Sequence, residues 1–220
     1  MKPLDQCHLY AFVDAAYLRG QSVADVARAL CDGGADLIQL RAKDWPHEDV
    51  LRAAAALAPI TQAAGVGLVI NDHPDIAQRV GADLCHLGQE DFFDAGLAHV
   101  RDVRPSGVRI GLSSHAPEQA LRAAQSGADY IAIGPVFATP TKPGRPGVTL
   151  DYVRWAADHL QLPWFAIGGI TLENLDTVLA AGARRVAVVS AILNAPNIAR
   201  ACQQFRSRLP SAAARGGSIS

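Results

Sequence analysis

The sequence predicts a closed (β/α)8 barrel formed by one domain, residues 1–209, with a disordered tail at 210–220. Three observations carry this. Seven apolar runs of strand length each end in polar, glycine or small hydroxyl residues. A weak repeat, Gly34-Ala35-Asp36, Gly81-Ala82-Asp83, Gly127-Ala128-Asp129 and Gly182-Ala183-Arg184, stands just before strand-like runs, its copies about two strand-helix units apart. Between the runs, apolar residues recur at helical spacing, as in Val23, Val26, Ala27 and Leu30, or Val50, Leu51, Ala54 and Leu57. In each repeat, glycine suits the left-handed helix cap, alanine allows tight packing and the third residue starts a strand.

Taken in order, the first strand is read at 8–14, ending in Asp14. The second, at 36–43, alternates Gln39, Arg41 and Lys43, so these three project from one face and climb towards one end of the barrel. Two cations and an amide in that ladder suit a polyanionic substrate, with Arg forking onto phosphate oxygens and Lys acting as a point charge. The third strand ends in Asn71 and Asp72, and the fourth, from Leu84, runs through His86 towards Asp91. Two carboxylates on neighbouring strands beside a phosphate site are the usual protein share of a Mg²⁺ site, so Asp72 and Asp91 are the expected metal ligands. His86, inside an apolar run, reads as a hydrogen-bonded core histidine.

The fifth strand, 109–115, carries Ser113, Ser114 and His115, and the sixth, 130–134, leads into a loop at 135–147. That loop is rich in Pro, Gly and Thr and carries Lys142 and Arg145, which is the composition of a lid. The seventh strand ends in Gly168-Gly169 and the eighth in Val189-Ser190, where barrels commonly hold a phosphate on backbone N–H groups. Ser22, Asp94, Ser114 and Thr171 are candidate helix caps, with Asn174 three residues after Thr171. A doubly wound open sheet is the competing fold, but neither a G-x-G-x-x-G turn nor a GxxxxGK[ST] phosphate loop is present.

A chain of 220 residues, 50% hydrophobic, fits one sizeable core. Its net charge of −1, with acids and bases interspersed, argues against general affinity for nucleic acid or an anionic membrane. No apolar stretch reaches membrane-spanning length and the start lacks a signal pattern, so a cytoplasmic protein is expected. Cys7, Cys31, Cys85 and Cys202 are too scattered for a zinc site or a C-x-x-C pair and read as buried thiols. Nothing specifies a nucleophilic triad, and a homo-oligomer is left open.

At these residues the chain resembles the thiamine phosphate synthase family, from Leu9 to about Leu209. The family's Q-x-R-x-K appears as Gln39 to Lys43, N-D as Asn71-Asp72 and H-L-G-Q-x-D as His86 to Asp91. Its G-x-S-x-H appears as Gly111 to His115, G-P-x-x-x-T-x-T-K as Gly134 to Lys142, A-I-G-G-I as Ala166 to Ile170 and V-S as Val189-Ser190. The resemblance implies a transferase that joins a pyrimidine diphosphate to a thiazole phosphate with Mg²⁺, by a dissociative route in which Arg41, Lys43 and Lys142 stabilise the leaving diphosphate. It implies that Gln39, Arg41, Lys43, Asn71 and Lys142 contact the pyrimidine diphosphate and that Asp72 and Asp91 ligate Mg²⁺. Thr139, Thr141, Gly169, Val189 and Ser190 would hold the thiazole phosphate, with Ser113 beside the reacting centre. Two other readings are a thiazole tautomerase of the same superfamily, which needs only the thiazole half of the site, and a noncatalytic phosphometabolite-binding barrel. Retention of Arg41, Lys43, Asn71, Asp72, Asp91 and Lys142 favours the two-substrate enzyme.

Overall fold

The structure, a computed structural model, describes residues 1–138 and 148–210. Eight parallel strands close into a barrel in chain order: β1 Leu9–Asp14, β2 Leu37–Arg41, β3 Gly67–Asn71, β4 Leu84–Leu87, β5 Arg109–Ser114, β6 Tyr130–Ile133, β7 Trp164–Ile167 and β8 Val186–Ala187. Every strand lies buried between barrel lumen and helices, which is why the runs are apolar almost throughout rather than alternating. Their polar ends leave the pairing and form the loops of the mouth.

The predicted repeat has a second function at the opposite end of the barrel. Gly34, Gly81, Gly127 and Gly182 all have φ between 67° and 104°, as a helix-ending glycine requires. The aspartate that follows in three copies reaches back to the preceding strand. Asp36 accepts from the N–H groups of His8 (2.8 Å) and Leu9 (3.0 Å), Asp83 from Leu68 (3.1 Å) and Asp129 from Ile110 (2.7 Å). Strand pairs β1–β2, β3–β4 and β5–β6 are thus pinned at their starts by charge-assisted bonds. Lys2 adds an ion pair to Asp36 at 2.8 Å, and Arg104 adds one to Asp129 at 2.7 Å.

The helices are α1 Val23–Asp32, α2 His47–Ala64, α3 Pro74–Val80, α4 Gln89–Phe92, α5 Pro117–Gln125, α6 Thr149–His159, α7 Leu175–Ala180, α8 Ser190–Leu193 and α9 Ile198–Arg208. Ser22 caps α1 as expected, accepting from the Asp25 N–H at 3.1 Å. The expectation of a full helix after every strand fails after β4. There α4 is a single turn, because Gly96 takes φ 84° and Leu97 N–H closes a turn onto the Phe92 carbonyl. Asp94 therefore caps no helix. Ser114 is not a cap either: its hydroxyl is shared between Tyr152 (2.7 Å) and the Ala116 carbonyl (3.0 Å), and α5 starts at Pro117. Thr171 does not cap α7 either: the N-cap is Asn174, whose side chain accepts from the Thr171 N–H at 2.9 Å in the turn before the helix.

The cysteines are free thiols; Cys7, Cys85 and Cys202 are buried and Cys31 partly so. Burial pushes the Cys31 thiol up to about 11 and Cys7 and Cys202 to about 12, so all stay protonated at neutral pH. Among the described residues no helix is long and apolar enough to cross a membrane.

Candidate active site

One cleft at the carboxyl ends of the strands gathers the residues singled out in the sequence. Gln39, Arg41, Lys43, Asn71, Asp72, Asp91, Ser113, Gly169, Val189 and Ser190 all line it. Its volume is about 1060 Å³ with the space open to solvent at the rim included, room for two small phosphorylated molecules together. Thr139, Thr141 and Lys142, and the rest of 139–147, lie outside the described residues, as do tail residues 211–220.

On the β1–β4 side the cations are held by carboxylates. Asp14, only 2% exposed in its side chain, accepts from Arg41 Nη1 at 2.8 Å, and the two stand opposite each other in the β1–β2 register. That bond presents the guanidinium in one orientation. Lys43 Nζ lies 3.7 Å from Asp72 Oδ2, which also accepts from Asn71 Nδ2. Asp72 takes φ 63° immediately after β3, a left-handed turn uncommon for a residue with a side chain.

Burial raises the Asp72 acid above the ordinary carboxylate range, and the neighbouring Asp91 carboxylate raises it further. Two carboxylates so placed repel each other unless a proton or a cation lies between them. The donor set, two hard oxygen anions at an open mouth beside Lys43, therefore fits a divalent oxygen-seeking cation such as Mg²⁺.

On the β7–β8 side, glycine is required twice. Gly168 and Gly169 take φ 101° and 66°, and a Cβ would lie 2.4 Å from Pro135 at the first and 2.7 Å from Phe137 at the second. The segment after β6 packs against this turn, with the Phe137 N–H donating to the Gly168 carbonyl at 3.0 Å. After β8 the extra one-turn α8 begins at Ser190, so both loops bring backbone to the cleft where barrels commonly seat a phosphate.

The cleft floor is a chain of hydrogen bonds that sequence reading missed. Gln39 Nε2 donates to the Tyr10 hydroxyl (2.8 Å), which meets the Tyr130 hydroxyl at 3.0 Å. Tyr130 meets His86 Nδ1 at 2.9 Å, and His86 Nε2 meets the Ser113 hydroxyl at 2.9 Å. Burial holds both phenols well above their ordinary range, so each stays a neutral hydroxyl with one proton to give. Because the Gln39 amide donates into the chain, the protons run one way. Tyr10 donates to Tyr130, Tyr130 to His86 Nδ1, and His86 Nε2–H to Ser113. The two ends of the chain, the Gln39 carbonyl oxygen as acceptor and the Ser113 hydroxyl proton as donor, belong to residues that line the cleft. Reversing one bond reverses all, which ties the polarity of Gln39 to that of Ser113.

Gly111 makes room for this chain. It stands between His86 and Tyr130 in the sheet register, and a Cβ there would lie 2.0 Å from the Tyr130 ring. His86 is thus a hydrogen-bonded core histidine, as expected, and also part of the site. His115 also lines the cleft; its N–H donates to the Gln119 side chain and its Nδ1–H to the Gly134 carbonyl, which fixes the tautomer. Gln89, at the start of α4, donates to the Ser113 carbonyl at 2.5 Å.

A family profile described as thiamine monophosphate synthase matches residues 9–192. The chain belongs to that family. The thiamine-phosphate synthase of Thermus thermophilus is 50% identical over 190 residues, covering 83% of this chain and 86% of that protein. That of Thermobifida fusca is 45% identical, covering 97% of each. Among solved structures, the thiamine phosphate pyrophosphorylase of Pyrococcus furiosus superposes with a TM-score of 0.83 at 29% identity over 94% of this chain and 96% of that one. A 3-hexulose-6-phosphate synthase superposes at 0.62 with 20% identity, a likeness of fold alone. Membership of the thiamine monophosphate synthase family makes the chain an enzyme of thiamine biosynthesis, a transferase.

Proposed function

We propose that the chain joins 4-amino-2-methyl-5-hydroxymethylpyrimidine diphosphate to 4-methyl-5-(2-phosphoethyl)thiazole, giving thiamine phosphate and diphosphate. What carries this reading is the division of one cleft into two anion-binding sides, cations with a carboxylate pair on β2–β4 and backbone loops on β7–β8. Arg41 and Lys43 would receive the diphosphate, and the Gly168-Gly169 and Val189-Ser190 loops the thiazole phosphate. Lys142, Thr139 and Thr141 join these sets on the strength of their motif. A tautomerase acting on the thiazole phosphate alone leaves the whole β2–β4 side without a task.

Asp72 and Asp91 would hold Mg²⁺, which when bound offsets charge growing on the diphosphate oxygens. The reaction is read as dissociative. The C–O bond breaks with its electron pair on the diphosphate, and the thiazole nitrogen lone pair then forms the new C–N bond. No proton transfer is needed to balance it. The chain's own residues therefore stabilise charge and hold orientation. Arg41, fixed by Asp14, and Lys43 face the leaving group before it leaves, which is preorganisation rather than acid-base catalysis.

The hydrogen-bonded floor supports the choice of pyrimidine. A 4-aminopyrimidine presents an amino donor beside a ring-nitrogen acceptor. With Gln39 donating to Tyr10, the chain would end in the complementary pair, an acceptor on Gln39 and a donor on Ser113. Holding the amino tautomer keeps its nitrogen lone pair available to spread the cation that forms when diphosphate leaves.

The two-sided layout is testable by calorimetry on one variant. Ser190→Asp should weaken thiazole phosphate binding by about tenfold or more through like-charge repulsion, and leave the pyrimidine diphosphate within about twofold of wild type. Equal loss of both affinities would show that the two anions are not seated on opposite sides. Formation of thiamine phosphate from the two substrates and Mg²⁺, followed by chromatography, tests the reaction itself, and its absence would sink the reading.

A further inference from the structure

Outside the cleft, three metal-ligating side chains meet where α2 and α3 begin. His47 is the first residue of α2, His73 immediately precedes α3 and Asp75 lies in the first turn of α3. One ligand atom from each lies within 4.8 Å of the other two. His47 Nε2 is 2.8 Å from Asp75 Oδ2, and the His47 and His73 rings stand edge to face with centroids 5.3 Å apart. All three are carried on helix starts, where backbone bonds such as Ala77 N–H to the His73 carbonyl at 3.1 Å limit their movement.

We propose that His47, His73 and Asp75 form a binding site for a borderline divalent cation of the Zn²⁺ class, built from different residues than the Asp72 and Asp91 pair. Two imidazoles and one carboxylate are the donors such ions select, whereas Mg²⁺ takes oxygen and water. In a tetrahedral site with bonds of about 2.0–2.1 Å the ligand atoms stand about 3.3 Å apart. Closing from the observed spacing to that one asks only for small side-chain rotations. A simple ion pair tying α2 to α3 would need His47 and Asp75 alone; it does not explain a second imidazole turned to the same point. Three protein ligands leave a coordination position for water.

Its position gives the site a consequence. His73 directly follows Asp72, the cleft residue with φ 63°, so a cation held there would fix the backbone of a residue that lines the cleft. The proposal needs nothing from the choice of substrates.

Co²⁺ is the probe, because in a four- or five-coordinate nitrogen and oxygen site it absorbs visible light far more strongly than the hydrated ion. Titrating the full chain should raise that absorption to saturation near one equivalent. His73→Ala and Asp75→Ala should each weaken Co²⁺ at least about tenfold. Asp91→Ala should leave the signal intact, and an excess of Mg²⁺ should not displace it. Thermal melts of the apo variants confirm that they fold. No new absorption, saturation unchanged in both cluster variants, loss of the signal in Asp91→Ala, or displacement by Mg²⁺ would each overturn the proposal.

Discussion

Asp91→Ala is expected to lower turnover by about a hundredfold or more while the protein stays folded, and EDTA should do the same to the wild type. Asp91 is exposed at the mouth, so its removal opens no buried cavity. What it removes is half of the carboxylate pair, leaving Asp72 without the neighbour that raises its acid. Circular dichroism and a thermal melt establish folding, and diphosphate release measures turnover. Full wild-type turnover in EDTA would remove the cation from the mechanism; a variant that melts many degrees lower would make Asp91 a structural residue.

The second large effect is expected on the cleft floor. Tyr130→Phe keeps the ring but deletes the central hydroxyl, the group that bonds both Tyr10 and His86 Nδ1, at about 1–3 kcal/mol. Because the chain then sets neither the His86 tautomer nor the Ser113 donor, turnover with the aminopyrimidine should fall by about tenfold or more. The discrimination against an analogue with a 4-hydroxyl in place of the amino group should fall with it. Gly111→Ala should be harsher, since the new Cβ would clash with the Tyr130 ring at 2.0 Å and the ring must leave its bonds. A stability loss of about 2–3 kcal/mol is expected there. Unchanged discrimination in a folded Tyr130→Phe protein would reduce the chain to core packing.

Much of this was legible in the sequence because it is local. Strand runs, the residues at their ends and the alternation of Gln39, Arg41 and Lys43 follow from neighbours along the chain. What could not be read depends on residues brought together by closure. Tyr10 and Tyr130 are 120 residues apart and each looks like an ordinary strand aromatic; only the barrel sets one hydroxyl against the other. Asp14 reads as a polar strand end until the β1–β2 register places it against Arg41. The aspartates of the Gly-Ala-Asp copies were visible as a pattern, but their partners lie on the preceding strand. After β4 the local signal misled: Asp94 resembles a cap, and Gly96, two residues on, turns the chain away from a helix.

If one cleft holds two substrates on opposite anion-binding sides, neither substrate alone should react. The most direct measurement is diphosphate release in an omission series containing the purified chain, both substrates and Mg²⁺, then the same mixture lacking each component in turn. Sustained release is expected in the complete mixture, and little when the pyrimidine diphosphate, the thiazole phosphate or Mg²⁺ is left out. Release at the full rate without the thiazole phosphate, or none in the complete mixture, would contradict the two-substrate cleft.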